Sequence, residues 1–413
     1  MVRYDGYAIT HHERKTTTAK KNMNTIVIIG TSAAGIAACG KLRDLDPTAR
    51  IICVTKEMVM PYNRCLLADL LSGSKSLEQV HSKKEAFFAD RAIELRLGCE
   101  VIGIDTAAQQ VIVKSGDTIA YTSLLVATGR SGFIPPGFDI SQPGIFPFYD
   151  LADVTDILAY ASTTAVKKAA VIGGGISGLE CSDALLQQEI EVTLVERGPH
   201  VLPRQLDEGG AAFLQGLMTS KGMSVHCNAT VEKVHKAPTH YLLTLSTGDV
   251  IEADLIVVAT GGKQNVQIVH NTDIATDGYG IVVDENQRTS VANVFAAGDV
   301  CSVKDLLSGE RTYSTLWPDA VSQGLTAAHS MLGLSKPYGG SLTITSTNIF
   351  GITLVTCGSF SALQGLETLH KQDATFYHRF YVQDGILRGF VMVGNVGGVG
   401  QLRKAIVEKS KIV

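Results

Sequence analysis

Residues 25–35, TIVIIGTSAAG, join a β-branched apolar run to a glycine-containing turn and the start of an alanine-rich helix. A continuous apolar run of this kind is typical of a central parallel strand, which is buried on both faces. The turn is a GxGxxG pattern with Ser32 at its middle position. Gly30 allows the tight turn and Gly35 lets helix and strand approach, while Ser32 is small enough for backbone to approach a pyrophosphate. We therefore predict a dinucleotide-binding unit with cofactor contacts at Gly30, Ser32, Ala33, Ala34 and Gly35.

A second strand–turn–helix unit begins at residues 169–174, AAVIGG, and its turn is a complete GxGxxG. The strand after its helix ends in Glu196. A carboxylate at this place accepts both ribose hydroxyls and repels a 2′-phosphate, so we expect NADH to be preferred over NADPH. Arg197 beside it weakens that preference. The predicted nucleotide contacts of this unit are Gly173, Gly175, Ile176, Gly178, Glu196 and Arg197.

The first unit departs from this pattern at the end of its second strand, RIICVT at 50–55. Thr55 occupies the position of the acidic residue, and Lys56 and Glu57 follow it. Glu57 is the candidate for the ribose contact, and the shift leaves the adenosine contact open. The whole chain is thus expected to be an α/β protein with two Rossmann-like dinucleotide-binding units.

Composition limits the class of protein further. The chain has 413 residues, which suggests two or three domains, and its net charge of −4 does not indicate binding to nucleic acid or an anionic membrane. No apolar run reaches the roughly 18 residues of a membrane span, and the N-terminus lacks the apolar core of a signal peptide. The eight cysteines have no CxxC or metal-finger spacing. We expect reduced thiols, a cytoplasmic location, no metal site and no dithiol redox centre.

Three further motifs follow the two glycine turns: LLVATGR at 124–130, LIVVATGG at 255–262 and an apolar strand ending in Gly298 and Asp299. A carboxylate after such a strand can accept hydrogen bonds from a polyol. The order and spacing of all five motifs resemble the pyridine nucleotide–disulfide oxidoreductase superfamily over residues 24–335. The cofactor contacts predicted from these three motifs are Thr128, Gly129, Gly262, Gly298 and Asp299.

That resemblance implies the glutathione-reductase type of fold, with FAD in the first unit and NADH, or NADPH, in an inserted second unit. It places Asp299 on the ribityl chain of FAD and Glu180 near the nicotinamide. The implied organisation is a disordered extension, an FAD-binding domain in two segments, an NAD(P)H-binding domain and a small α+β C-terminal domain. Their predicted bounds are 1–22, then 23–150 with 253–335, then 151–252, and finally 336–413.

Closer features resemble one branch of the superfamily. PYNRCLL at 61–67 is similar to the PY-x-R segment of rubredoxin reductases and of the flavin domain of assimilatory nitrite reductases, which makes Arg64 a candidate cofactor contact. The stretches 346–360 and 381–395 resemble the small C-terminal domain of the same branch. A helix opening at Trp317 is expected to direct its N-terminus at the flavin. Trp317 itself either flanks the flavin or serves in packing.

Cys65 raises an alternative. CLLADLLSG resembles the C-x-L-P-Y helix start of CoA-disulfide reductases and NADH oxidases, although Ala68 and Asp69 replace the Pro-Tyr pair. If Cys65 opens a helix behind Arg64, both features lower the thiol pKa. The competing interpretation is an inert cysteine that lines the pocket.

Three functions are consistent with the sequence. The first is an FAD-dependent oxidoreductase that takes a hydride from NADH and passes electrons to a redox protein such as rubredoxin. The second is a single-cysteine enzyme that acts on CoA-disulfide, persulfide, peroxide or oxygen through Cys65. The third is a non-catalytic flavoprotein that binds NADH as a sensor. The chain is expected to be a monomer or a homodimer.

Overall fold

The computed structural model of the chain describes residues 24–358 and 366–411. The predicted disordered extension, residues 1–22, lies outside the described residues.

Nine α-helices occur in the described ranges, and two short 3₁₀ turns, Arg64–Leu66 and Gln267–Val269, accompany them. The helices are α1 Ala33–Leu45, α2 Leu67–Leu71, α3 Leu77–Val80, α4 Glu85–Ala89, α5 Leu151–Thr163, α6 Ile176–Gln187, α7 Glu208–Ser220, α8 Trp317–Met331 and α9 Val399–Glu408. Among them none combines the length and apolar character that crossing a lipid bilayer requires.

The strands of the described residues are short, as expected for a protein with many turns. They are β1 Thr25–Ile29, β2 Arg50–Val54, β3 Ile93–Arg96, β4 Val101–Asp105, β5 Gln110–Val113, β6 Thr118–Ala120, β7 Ser123–Val126, β8 Arg130–Gly132, β9 Ile145–Pro147, β10 Lys168–Ile172, β11 Glu191–Val195, β12 Ser224–His226, β13 Val231–Lys236, β14 Tyr241–Leu245, β15 Val250–Ala253, β16 Leu255–Val258, β17 Gly262–Gln264, β18 Thr276–Asp277, β19 Gly280–Val282, β20 Val294–Ala296, β21 Cys301–Lys304, β22 Arg311–Thr312, β23 Ile344–Ile349, β24 Ile352–Cys357, β25 Glu367–Gln372, β26 Tyr377–Gln383 and β27 Ile386–Val393.

The first sheet is parallel, with strand order β20-β7-β1-β2-β3. β1 lies in its interior, where Val27 and Ile28 are fully buried. This burial on both faces explains the continuous apolar run of the sequence. Helices α1 and α8 pack together over one face; α1 directly follows β1, and α8 contacts β20, from which β21 and β22 separate it in sequence. The predicted helix start at Trp317 and Pro318 is confirmed. This sheet and its helices are called the first unit below.

The second sheet is also parallel, with strand order β12-β11-β10-β16-β9. Together with α5, α6 and α7 it forms the second unit. β9 and β16 had been assigned by sequence to the segments of the first domain, 23–150 and 253–335. This assignment is wrong for both strands, because β16 pairs with β10 and β9 pairs with β16. The error arises because pairing partners of short apolar strands are decided by tertiary contacts.

The chain crosses between the two units through a small ribbon. β8, on the way out of the first unit, pairs antiparallel with β17, on the way back. The ribbon continues in the bond from the Phe133 N–H to the Gly261 carbonyl, at 2.9 Å. Thr260 Oγ1 donates to the carbonyl of Phe133 at 2.6 Å. The entry and exit of the second unit therefore lie side by side.

The C-terminal sheet is antiparallel, with strand order β23-β24-β27-β26-β25, and α9 packs on β27. The predicted hairpin at the QDG turn is confirmed by the pairing of β26 with β27. One face of this sheet packs against the second unit, since Phe350 and Tyr377 belong to the same buried cluster as Leu179 and Leu214. The C-terminal domain is therefore fastened to the helices of the second unit by apolar contacts.

Candidate active site

The turn after β1 forms an anion cradle at the start of α1. Gly30 adopts a φ of +109°, and a Cβ there would lie 2.1 Å from the Ala127 carbonyl oxygen, so only glycine fits. Ser32 is the N-cap of α1, but its side chain makes no capping hydrogen bond. The first N–H groups of a helix have no partner within the helix and carry a partial positive charge. The residues present therefore fit the pyrophosphate of a dinucleotide.

Asp299 follows β20 at the same edge of the first sheet, where Gln323 Oε1 accepts a 2.8 Å hydrogen bond from the Gly298 N–H. Burial raises the pKa of Asp299 to about 6, and the guanidinium groups of Arg130 and Arg64 oppose this shift. Sequence analysis did not select Arg130, although it directly follows the first ATG motif. Its Nη2 donates to the carbonyl of Gly262, and its Nε is buried without a partner.

The Thr128 and Gly129 turn is tied to the returning chain rather than left open. Thr128 Oγ1 donates to the carbonyl of Asn265 at 2.9 Å, and Asn265 Nδ2 donates back to the carbonyl of Thr128 at 2.9 Å. Gly129 adopts a φ of +61°. These contacts fix the turn next to the ribbon, and its role as a cofactor contact stays a prediction.

Glu57 and Arg64 face each other. Arg64 Nη2 lies 2.6 Å from Glu57 Oε1, and Arg64 Nη1 donates to the carbonyl of Tyr149 at 3.0 Å. The guanidinium also lies over the rings of Tyr62 and Tyr149, at 5.3 and 5.4 Å from their centroids. The ribose contact predicted for Glu57 therefore involves a carboxylate that is already paired.

The second glycine turn places Glu196 where the sequence predicted it. Its two carboxylate oxygens accept hydrogen bonds from the N–H groups of Gly174 and Gly198, both at 2.5 Å. A Cβ at Gly175, the N-cap of α6, would meet nothing within 4 Å, so this helix N-terminus opens into free space. Arg197 is exposed. The loop has room for a dinucleotide beside a fixed carboxylate.

Cys65 is an exposed residue, and the carboxylates of Glu180 from the second unit and Asp299 from the first lie near enough to act on its thiol. Burial by surrounding protein, together with the carboxylates of Glu180 and Asp299, raises the pKa of this thiol to about 11. The condition for a lowered pKa, that Cys65 opens a helix next to a free Arg64, is not met. Arg64 is turned toward Glu57, and the helical turn that Cys65 joins is only three residues long. The thiol is thus protonated at neutral pH.

Glu180, the predicted catalytic carboxylate, lies in the fifth position of α6. Burial raises its pKa, and a hydrogen bond from Thr347 opposes this shift. Thr347 Oγ1 donates to Glu180 Oε1 at 2.8 Å. Thr347 was not among the residues predicted from the sequence, because it lies on β23 in the C-terminal domain, far along the chain from the motifs. In the structure β23 packs against α6.

Trp317 opens α8 and is partly buried against the core of the first unit. It lines a groove of about 580 Å³ between α1 and α8, together with Leu66 and Asn63 from the segment around Cys65. Asn63 and Leu66, which lie on either side of Cys65 in the sequence, therefore both line this groove. In the described ranges, no group of three or more His, Cys, Asp and Glu side chains is arranged to hold a metal ion.

Comparison with known proteins agrees with this architecture. Residues 24–324 match the family of pyridine nucleotide-disulphide oxidoreductases. The chain belongs to this family. It is therefore an NAD(P)H oxidoreductase, and the expected cofactors of these enzymes, FAD and NAD(P)H, are confirmed.

Both branches suggested by the motifs occur among the similar proteins. The NADH oxidase of Methanocaldococcus jannaschii is 29% identical over 322 residues, which cover 76% of this chain and 71% of that protein. The rubredoxin-NAD(+) reductase of Pseudomonas putida is 28% identical over 316 residues, covering 76% and 81%. A solved structure, the NAD-dependent persulfide reductase from A. fulgidus, has a TM-score of 0.87 at 24% identity and covers 94% of this chain and 77% of its own. This last likeness concerns the fold.

Proposed function

We propose that this oxidoreductase takes a hydride from NADH onto FAD and passes the electrons to a redox protein such as rubredoxin. One observation carries the proposal: the carboxylates of Glu180 from the second unit and Asp299 from the first both act on the Cys65 thiol. This proximity of the two carboxylates to one thiol supports the proposal that the nicotinamide and flavin ends of the two predicted cofactor sites lie side by side. Hydride transfer requires that the two rings lie in contact.

The residues of the first unit would hold FAD, which when bound accepts a hydride and releases electrons to a further acceptor. The N-terminus of α1 would bind its pyrophosphate. Asp299 is ionised above its pKa of about 6 and accepts hydrogen bonds from hydroxyl groups. Arg130 and Arg64 lie close enough to influence this carboxylate, so they also supply positive charge near the cleft.

The residues of the second unit would select and orient NADH. Glu196 is fixed by two backbone N–H groups, so its carboxylate meets the 2′ position without needing to reorganise. Glu180 lies partly buried beside the cleft, where an ionised carboxylate accepts hydrogen bonds from an amide NH₂ group. The nicotinamide carries such a group on its carboxamide.

The test begins with anaerobic mixing of the FAD-loaded protein with NADH while the flavin absorbance is followed. Steady-state turnover is then measured with rubredoxin, with ferredoxin and with CoA-disulfide as acceptors. We expect rapid bleaching of the flavin and turnover with a redox protein. A flavin that NADH does not bleach would contradict the proposal. If NADH bleaches the flavin but only CoA-disulfide supports turnover, the acceptor is a disulfide and not a redox protein.

The second candidate, thiol chemistry at Cys65, is favoured by the exposure of this thiol between Glu180 and Asp299. The variant Cys65→Ser separates the two functions, with Cys99→Ser as a control at a partly buried cysteine elsewhere in the first unit. Under the proposed function, Cys65→Ser retains reduction of rubredoxin at close to the wild-type rate. If every acceptor activity disappears while NADH still bleaches the flavin, the thiol is the second redox centre.

A further inference from the structure

We propose that Thr347 of the C-terminal domain is a positioning residue for Glu180, so that the third domain completes the nicotinamide side of the active site. The inference rests on the proposed function, because Glu180 has a role in hydride transfer only if NADH delivers the hydride. It also goes beyond that function, since it assigns to the C-terminal sheet a role in orienting an active-site carboxylate, in addition to any role in binding the electron acceptor.

The contact is direct and specific. Thr347 Oγ1 donates to Glu180 Oε1 at 2.8 Å, across 167 residues of sequence. Both side chains are partly buried. A single hydroxyl bond to one carboxylate oxygen restricts rotation of the carboxylate, and Oε2 stays available to a donor in the cleft. The bond therefore sets the direction in which Glu180 presents its second oxygen.

Contacts that do not involve the Thr347 hydroxyl hold β23 in place. Thr347 pairs in register with Leu354 of β24, and β24 pairs with β27. The neighbouring strand β26 is bound to the second unit through Asp207, whose Oδ2 accepts bonds from Tyr377 Oη at 2.9 Å and Tyr381 Oη at 2.7 Å. Removing the Thr347 hydroxyl should therefore free the Glu180 carboxylate without moving the sheet.

The electrostatics act in the same direction. Burial raises the pKa of Glu180, and Asp69 on α2 raises it further, while the Thr347 hydroxyl favours the ionised form. Cys65 faces Glu180 from the 3₁₀ turn and is neutral at pH 7. In the absence of the hydroxyl, a larger fraction of Glu180 is protonated, and one of its two oxygens then carries an O–H donor. Thr347 thus supports both the orientation and the charge of the carboxylate.

The experiment compares five variants in the FAD-loaded, full-length protein. Thr347→Val removes the hydroxyl at nearly constant shape, and Thr347→Ser keeps it. Thr345→Val is the matched control, because Thr345 is buried on the same strand two residues away. Glu180→Gln is made alone and in combination with Thr347→Val. The readouts are the rate constant of flavin bleaching by NADH between pH 5.5 and 9 and the calorimetric Kd for NAD⁺.

We expect Thr347→Val to slow bleaching about five- to tenfold, which lies within the range of the net contribution of one hydrogen bond. It should also weaken NAD⁺ binding and move the acid limb of the pH profile to higher pH. Thr347→Ser and Thr345→Val should stay within about twofold of wild type. In the Glu180→Gln background, Thr347→Val should add less than about twofold, because a residue that acts through another gives non-additive effects.

Three results would overturn the inference. Thr347→Val could match wild type in both the bleaching rate and the Kd for NAD⁺, or Thr347→Ser could lower the bleaching rate as much as Thr347→Val does. In the third, Thr347→Val would lower the bleaching rate by the same factor in the Glu180→Gln protein as in the wild type. In each case wild-type flavin still bleaches with NADH, so the proposed function survives. A wild-type flavin that NADH does not bleach would instead overturn the proposed function and this inference together.

Discussion

Arg64 binds Glu57 through a 2.6 Å ion pair, so two residues that the sequence assigned to cofactor contact are bonded to each other. The side chains are 29% and 26% exposed, which makes the pair less screened than a surface salt bridge. Because Arg64 also donates to the Tyr149 carbonyl, the pair connects the end of β2 with the chain leading into α5. The side chain of Arg64 thus links a carboxylate of the first unit to the segment that leads into the second unit.

The Gly30→Glu substitution is expected to abolish FAD binding. Any Cβ at this position collides with the Ala127 carbonyl oxygen, and a carboxylate would repel the pyrophosphate. The control is Gly116→Glu, which also has a positive φ, of +96°, but lies in a hairpin turn with nothing within 4 Å. Flavin content per chain and circular dichroism check the outcome. A Gly30→Glu protein that retains about one FAD would show that the first unit does not bind it.

NADH should exceed NADPH in kcat/KM because the Glu196 carboxylate is fixed at the end of β11. Repulsion of a 2′-phosphate and a lost hydrogen bond are worth on the order of 2–3 kcal/mol. Glu196→Gln removes the charge at constant size and should reduce the preference at least about tenfold. Arg197→Ala serves as the opposite control and should increase the preference. Equal use of both nucleotides by the wild type would remove Glu196 from this role.

Alkylation of Cys65 by iodoacetamide should be slow at pH 7 and should accelerate with rising pH until about pH 11. The thiolate is the reacting form, and the pKa of this thiol is raised to about 11, so its thiolate fraction grows about tenfold per pH unit below that value. Mass spectrometry of the modified peptide measures the rate at this site separately from the other cysteines. A plateau reached near pH 7 would mean that the thiol is activated.

Loss of the Asp207 carboxylate should destabilise the attachment of the C-terminal domain. Asp207 Oδ2 accepts from Tyr377, Tyr381 and Arg379, and its Oδ1 caps α7 through the Gly210 N–H. Its side chain is only 11% exposed. Asp207→Ala should lower the free energy of unfolding by about 2–3 kcal/mol.

The control for that loss is Asp156→Ala, at an exposed carboxylate on α5, which should change stability by less than about 0.5 kcal/mol. Urea unfolding followed by fluorescence measures both variants. Equal stability of the Asp207 and Asp156 variants would show that the apolar contacts alone hold the domain.

The features that sequence could predict are those encoded by neighbouring residues. The run before Gly30 predicts a buried strand, and the small residues after it predict a helix that starts at a cofactor. Glu196 lies directly after β11, close to the strand end that the apolar pattern predicts. The α8 start at Trp317 and Pro318 also lies where the sequence predicts it. Each of these signals lies within about ten residues of its outcome.

The contacts that sequence could not predict join distant segments. Thr347 reaches Glu180 from another domain, and no local pattern distinguishes it from Thr345 on the same strand. The pKa of Cys65 depends on Glu180 and Asp299, which are far away along the chain. Even Arg64, one residue before Cys65, was expected to act on the thiol but is turned toward Glu57. Side-chain direction here is decided by packing between domains.

Because β8 and β17 pair with each other, the second unit is an insertion whose two ends lie side by side. Its two ends are neighbouring antiparallel strands, which lie about 4.8 Å apart, so the host chain leaves and returns at almost the same point. A foreign nucleotide-binding unit with equally close ends can replace the original without lengthening or redirecting the host. Recombination within a gene can therefore exchange the whole second unit at one point of the chain, provided that the incoming unit also offers α6- and α7-like faces on which the C-terminal sheet can pack.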